Sequence, residues 1–272
     1  MKKLRTWITT LGITLTSVAY GLTKEELQSE PYWNEDAKTL ELMCKTLSSK
    51  EIKEVVDYCI ENGADVLALQ SCDIDTDGAK VLADNLNATK LMELDLKLNN
   101  IGDAGTCLLA DALMANTTLA KLNLSFNNMS RDGAKALADV LKTNTTLVEL
   151  DLSNNKIEWK GAKALADALE INDTLMMLDL GFNRIGGIGA GYILKVLEHN
   201  NTLTELDLRN NLICILEFNS PSNIAIQTAA YCLKSNQTLT TLNLEYNGIG
   251  DAGERALAEA LKANTTITEL SL

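Results

Sequence analysis

The sequence predicts an α/β solenoid: short parallel strands stacked into one layer, backed by a layer of helices. Three observations predict it. A unit close to 28 residues recurs down most of the 272-residue chain. Within each unit, leucines alternate over a few residues, the period-2 mark of a strand with one buried face. A stretch rich in alanine and leucine follows, with apolar residues at i, i+3, i+4 and i+7, the stripe of an amphipathic helix.

The strand segment follows the template L-x-x-L-x-L-x-x-N-x-I. It reads "LMELDLKLNNI" from Leu91, "LAKLNLSFNNM" from Leu119, "LVELDLSNNKI" from Leu147, "LMMLDLGFNRI" from Leu175, "LTELDLRNNLI" from Leu203 and "LTTLNLEYNGI" from Leu239. A degenerate copy, "ADVLALQSCDI", begins at Ala64 with Cys72 at the asparagine position, and a last fragment, "ITELSL", begins at Ile267. The alternation is so short that each copy supplies one rung of a parallel sheet. The asparagine side chain satisfies backbone groups where the strand turns, groups that burial would otherwise leave unpaired. Asn99, Asn127, Asn155, Asn183, Asn211 and Asn247 are therefore structural.

In "DGAKALADVLKTN" (132–144), Ala134, Leu137, Ala138 and Leu141 form the helix stripe. Asp103, Asp132 and Asp251 stand at helix starts, where a carboxylate caps free N–H groups. Lys135–Asp139, Lys163–Asp167 and Arg255–Glu259 are spaced for exposed i,i+4 pairs. Each helix is expected to stop at Asn116, Asn144, Asn172, Asn200, Asn236 or Asn264 in the left-handed conformation asparagine tolerates. These asparagines also create sequons such as "NTT" at 116 and 144. Either they are glycosylated, or the repeat needs Asn then Thr for its own backbone; their recurrence with the unit favours the backbone.

The 28-residue unit "L-x-x-L-x-L-x-x-N-x-I-x-x-x-G-A-x-x-L-A-x-x-L-x-x-N-x-T" is similar to leucine-rich repeats of the ribonuclease-inhibitor-like subfamily. Similar repeats occur in NLR-type receptors and in Ran GTPase-activating protein. The resemblance covers residues 64–272 and implies a curved solenoid with strands on the concave face and helices on the convex face. It says little about function, because sites are grafted on folds.

Residues 22–63 lack the repeat and read as a helical N-terminal cap over the first rung. "TKEE" (23–26) and "SSKE" (48–51) are capping boxes. "NEDAKTLELMCKTL" reads as a helix. A second helix places Ile52, Val55, Val56, Cys59 and Ile60 on one face and stops at Asn62-Gly63. Residues 1–21 resemble a secretory signal: Lys2, Lys3 and Arg5 precede an uncharged stretch that ends in small residues. That stretch is short for a membrane span. Export, with a host-interaction role, is the expectation; a cytoplasmic location follows if the segment is not a signal.

Of six cysteines, Cys44, Cys59 and Cys72 read as buried small hydrophobes, and no CxxC suggests zinc. A Cys214–Cys232 bridge stays open. It would span "LICILEFNSPSNIA" (212–225), where the rhythm breaks. Aligned to its neighbours, this stretch is an eight-residue insertion near 214–221 between strand and helix, with Phe218 near its tip.

Function is expected on the concave face, where residues between the leucines form columns. Glu93, Asp95, Glu149, Asp151, Asp179, Glu205, Asp207, Arg209 and Glu245 are the candidate partner-binding residues, on a face carrying nine acidic and three basic side chains. Phe126, Phe182 and Tyr246, on alternate rungs just before the template asparagine, are candidate rim anchors beside Phe218. The net charge of −13 favours a basic protein partner and disfavours nucleic acid. No cofactor or metal is expected. Catalysis is disfavoured: His199 is the only histidine, and the carboxylates have no enclosed pocket. Two other readings remain. One is GTPase activation through Arg131 or Arg184. The other is self-assembly through the open sheet edge at "ELSL".

Overall fold

The computed structural model describes residues 24–28, 32–214 and 221–272. The signal-like segment 1–21, Thr23 of the first capping box and Phe218 lie outside them. In chain order the elements are α1 (Lys24–Leu27), β1 (Trp33–Asn34), β2 (Thr39–Met43), α2 (Ser49–Asn62), β3 (Val66–Gln70) and α3 (Thr76–Asn85). Then come β4 (Glu93–Asp95), α4 (Gly102–Leu113), β5 (Lys121–Asn123), α5 (Arg131–Leu141), β6 (Glu149–Asp151), α6 (Glu158–Leu169), β7 (Met177–Asp179) and α7 (Gly186–Val196). The chain finishes with β8 (Glu205–Asp207), α8 (Pro221–Ser235), β9 (Thr241–Asn243), α9 (Gly250–Leu261) and β10 (Glu269–Ser271). The strands form one sheet in sequence order, parallel throughout except for the antiparallel β1–β2 pair. Consecutive helices pack side by side behind it. The α/β leucine-rich-repeat solenoid expected from the sequence is the fold observed.

The register is uniform. Leu67, Leu94, Leu122, Leu150, Leu178, Leu206 and Leu242 are mutual partners across successive strands, and all are buried. Helical leucines and alanines close the core from behind. The helices come close because the first turn carries glycine: a Cβ on Gly161 would stand 2.5 Å from Ile157 and 3.2 Å from the Arg131 backbone.

The template asparagines form the expected ladder. Asn155 Oδ1 accepts from the Asn127 and Met129 amides at 3.1 and 2.9 Å, and its Nδ2 donates to the Leu124 and Leu152 carbonyls at 2.9 and 3.0 Å. Each asparagine thus stitches its rung to the one before. Cys72 keeps part of this role, its thiol donating to the Leu42 carbonyl at 3.2 Å.

A second ladder runs where helix meets strand, and here an expectation is corrected. Asn116, Asn144, Asn172, Asn200, Asn236 and Asn264 are absent from the residues with positive φ, so the left-handed stop does not occur. Their side chains do the work instead. Asn144 Nδ2 donates to Leu113 O at 3.0 Å, and its Oδ1 accepts from the Thr146 and Leu147 amides. Asn172, Asn200, Asn236 and Asn264 repeat the pattern. N-glycosylation would place a glycan on that same Nδ2. Directing the chain through a glycosylating secretory pathway is therefore expected to lower the folded yield. Blocking N-glycosylation should restore it; equal yield with occupied sites would contradict this.

Three more expectations are corrected. "NEDAKTLELMCKTL" is not a helix: it holds Asn34 of β1, all of β2 and the loop after it. Leu40 and Leu42 alternate, both fully buried, and β2 pairs with β3 in the common register. Cys44 is consequently exposed, at φ 56°. In α2, Ile60 is exposed and Tyr58 is buried in its place, its ring edge-on to Trp33 at 5.6 Å. The box at Ser48 and Glu51 forms, and Gly63 ends the helix in the left-handed region. Cys232 is a free thiol, so the Cys214–Cys232 bridge is not made. Burial pushes the Cys59 and Cys72 thiols up to about 12 and about 11, which keeps them protonated and inert.

Helix ends differ in detail as well. Asp103 caps the neighbouring helix, its Oδ1 accepting from the Ser130 and Gly133 amides at the start of α5. Lys163–Asp167 pairs as expected at 2.6 Å. Asp139 and Glu259 instead pair with Lys142 and Lys262, one turn further on.

Candidate functional site on the sheet face

The parallel register aligns the residues between the leucines into the expected columns. Glu93, Lys121, Glu149, Met177, Glu205, Thr241 and Glu269 form the first. Asp95, Asn123, Asp151, Asp179, Asp207, Asn243 and Ser271 form the second. The second column has a backbone duty. The Oδ1 atoms of Asp95, Asp151, Asp179 and Asp207 accept from the amides two residues on, at 2.7–2.9 Å. Asn123 and Asn243 do the same. One oxygen of each aspartate thus ends its strand, leaving the other for the open face.

Those second oxygens are unequally served. Gln70 donates to Asp95 at 2.5 Å, and Asn243 to Asp207 at 3.0 Å. Arg209 lies between Asp179 and Asp207, at 3.7 and 3.5 Å. It can lie flat there because position 181 is glycine: a Cβ would stand 3.1 Å from Arg209 Cγ. Arg209 Nε is buried without a hydrogen-bond partner, held by charge rather than by a directed bond. Asp151 has no ion pair among the described residues.

Crowding shows in the acidities. Burial, then the Asp151 charge, raises the Asp179 carboxyl to about 7, against the opposing pull of the Gly181 amide and Arg209. Asp207 is raised too, chiefly by burial. In the first column, Lys121 is tied to Glu149 at 2.7 Å, and that bond raises its pKa.

Phe126, Phe182 and Tyr246 share an uncommon backbone conformation. The residue before each template asparagine is left-handed, with φ between 50° and 60° at Leu98, Phe126, Asn154, Phe182, Asn210 and Tyr246. Asparagine suits that conformation; an aromatic side chain is strained there by about 1 kcal/mol. The rings do not fold into the turn beneath. Phe126 is 40% exposed, Phe182 38% and Tyr246 75%. Lys97 Nζ lies 5.9 Å from the Phe126 centroid, and the Arg209 guanidinium 5.9 Å from that of Phe182. The structure thus brings Asp151, Asp179, Asp207, Arg209 and Phe182 into one patch, with Glu149 beside it. Glu205 shares β8 with Asp207, Glu245 and Tyr246 follow β9 on the next rung, and Glu93 lies two rungs before Asp151 on β4. The Gly181–Arg209 pairing escaped the sequence reading, although a lone glycine at the position held by Ser125 and Ser153 on the two rungs before was its signal.

Arg131 opens α5 beside Asp132 at 3.8 Å, and Arg184 is exposed with φ 57°. Among the described residues no cluster fit to hold a metal ion occurs, and no helix is long and apolar enough to cross a membrane.

Stacked parallel rungs, a double asparagine ladder and one open sheet face define a repeat scaffold for binding proteins. The chain belongs to the leucine-rich repeat family, whose description "Leucine Rich repeat" matches residues 66–83, 87–106, 115–138, 143–166, 172–194, 199–213 and 235–258. No curated protein sequence matches it. Among solved structures, the leucine-rich repeat-containing protein LegL7 from Legionella pneumophila is similar at 18% identity and TM-score 0.57, over 89% of this chain and 76% of that one. Leiomodin-1 actin-binding site 2 is similar at 28% identity and TM-score 0.47, over 59% of this chain and 88% of that one. The tropomodulin C-terminal domain of Caenorhabditis elegans is similar at 16% identity and TM-score 0.44, over 60% and 93%.

Proposed function

We propose that the chain is a non-catalytic binding module that docks a basic protein segment on its acidic sheet face, with Phe126, Phe182 and Tyr246 as rim anchors. One observation carries this reading. Of the three bases on the face, Lys121 is paired with Glu149 and Arg209 lies between Asp179 and Asp207, which leaves Lys97 alone against the other acids, so the field toward solvent is negative. Opposite charge steers encounter and rejects acidic competitors. The proposal includes repeats of the ribonuclease-inhibitor-like kind, from their 28-residue length, and export directed by residues 1–21, from Lys2, Lys3 and Arg5 ahead of an uncharged stretch.

The triple variant Glu93→Lys, Glu149→Lys, Glu205→Lys tests it. These side chains end no strand, so the fold should persist by circular dichroism. Basic partners captured by the wild type should bind the variant about tenfold more weakly or worse. Their affinity for the wild type should also fall as salt rises. An unchanged set of partners at unchanged affinity would overturn the reading.

A further inference from the structure

The residue just before each strand forms a row of its own along the edge where the strands begin. Its members are joined rung to rung. The Ala120 amide donates to the Met92 carbonyl, Val148 to Ala120, Met176 to Val148, Thr204 to Met176, Thr240 to Thr204 and Thr268 to Thr240, each at 2.7–2.8 Å.

This edge changes character along its length. Thr204, Thr240 and Thr268 are polar, and each hydroxyl donates to the carbonyl of the rung before, at 3.1, 3.0 and 3.3 Å. Met92, Ala120, Val148 and Met176 are apolar. Met92 is 52% and Met176 45% exposed, with Ala120 and Val148 half-buried between them. Threonine gains a hydrogen bond at this position, so the fold does not call for the apolar run. Single exposed apolar side chains are ordinary, but four on consecutive bonded rungs make a continuous stripe.

Beside the stripe runs the first column of the face, Glu93, Lys121, Glu149, Met177 and Glu205. Lys121 and Glu149 pair with each other. Glu93 and Glu205 have no ion pair among the described residues. Glu93 follows Met92 at one end of the stripe, and Glu205 lies one rung beyond Met177 at the other.

We propose that this edge seats one amphipathic helix of the basic partner, lying along the rungs with its apolar row on Met92, Ala120, Val148 and Met176 and with basic side chains reaching Glu93 and Glu205. The seat rests on the reading of the sheet face as a docking surface for a basic segment, and names the shape that segment takes. Spacing selects a helix. Rungs repeat at about 4.8 Å and a helix returns to the same face every ~5.4 Å, so over the three steps from Met92 to Met176 the two drift apart by roughly 2 Å. An extended segment returns to the same face every ~6.7 Å and drifts by roughly 6 Å. Charge complementarity selects the sign. Glu93 and Glu205 are four rungs and so about 19 Å apart, a span covered by basic residues about eleven to fourteen positions apart on one helix face. Methionine suits such a seat because its flexible thioether moulds to an apolar row without dictating its sequence.

The test is methyl NMR on the full chain labelled at its methionines, titrated with a lysine–leucine peptide of about 18 residues that forms an amphipathic helix. A scrambled peptide of the same composition and a glutamate–leucine counterpart are the controls. The helical peptide should shift Met92 and Met176 saturably, and leave Met114, exposed at the end of α4, and buried Met129 unmoved. The scrambled peptide should bind about tenfold more weakly, and the glutamate peptide should not bind measurably. Met92→Thr with Met176→Thr should weaken the helical peptide about tenfold and the scrambled one by less than about twofold. Threonine is at home in that row at Thr204 and Thr240, so the fold should persist. Glu93→Gln with Glu205→Gln should weaken both lysine peptides. If helical and scrambled peptides bind alike, ignore the threonine variant and are both lost by the triple lysine variant, the helix seat is wrong while the acidic docking face stands. If Met92 and Met176 shift with the concentration of the chain alone, the stripe is a contact between copies and the seat is wrong. If the glutamate peptide binds as well as the lysine one, or no lysine peptide perturbs any sheet-face methyl, both readings fail.

Discussion

Asn155→Ala is expected to lower the unfolding free energy by about 3–4 kcal/mol, a loss far beyond the volume of the atoms removed. The side chain is buried and carries five hydrogen bonds. Its oxygen serves the Asn127 and Met129 amides, and its nitrogen the Leu124, Leu152 and Ser153 carbonyls. Alanine leaves the Asn127 and Met129 amides and the Leu124 carbonyl in a dry turn without that partner, while the Leu152 carbonyl keeps Asn183 Nδ2 and the Ser153 carbonyl keeps the Phe126 amide, and each buried orphan costs about 1–3 kcal/mol. Aspartate is no rescue: it keeps the acceptors, loses the donor and buries a charge. Urea denaturation of the variant should show a lower midpoint. Exposed Lys156→Ala, one residue away, should move it by less than about 0.5 kcal/mol. Because contacts in a solenoid run only between neighbouring rungs, hydrogen exchange should quicken most around β5 and β6 and least near β10. A uniform change along the chain would contradict the rung-to-rung role of the ladder.

That ladder was legible in the sequence because a single residue type recurs at a fixed step, and only a shared backbone duty explains such recurrence. The columns were legible for the same reason: alternation fixes which side of a strand each residue takes. Reading failed where a side chain's role depends on the next rung. Asp103 looked like a cap for its own helix and caps the following one. Asn144 looked like a left-handed stop and is a stitch to the rung before. β2 was misread because "TLELMCK" keeps the two strand leucines but has Lys45 where the asparagine belongs; its 27-residue offset from Leu67 was the signal that remained. The rim backbone was hidden because Phe126 and Phe182 occupy a left-handed position that their residue type does not announce, while Asn154 and Asn210 at the same position do. The charge excess of the face was countable in advance. The placing of Arg209 over Gly181, which decides where that excess is left unanswered, was not.

Asp179→Asn is expected to stabilise the protein above neutral pH. Burial and the neighbouring Asp151 and Asp207 charges raise the folded-state carboxyl to about 7, from 3.8. A carboxyl with a raised folded pKa binds its proton more tightly in the folded state than in the unfolded one. Wild-type stability must then fall as pH rises through the window between those two values, and level off above it. Asparagine cannot ionise, and it can still accept from the Gly181 amide as Asn123 accepts from Ser125. The two proteins should therefore unfold alike near pH 4. The variant should pull ahead as pH rises and lead by about 3 kcal/mol at pH 8. Asp151, Asp207, Arg209 and Glu149 stay in place in both, so the difference isolates one carboxyl. Thermal unfolding at a series of pH values reads it directly, and parallel curves for the two proteins would show that Asp179 is ionised at no cost. The same substitution removes a negative charge from the sheet face, so it should weaken capture of a basic partner at pH 8 and leave it unchanged near pH 5, where Asp179 is already protonated. Gaining stability while losing affinity only above pH 7 would tie the strained carboxyl to the docking face rather than to the fold.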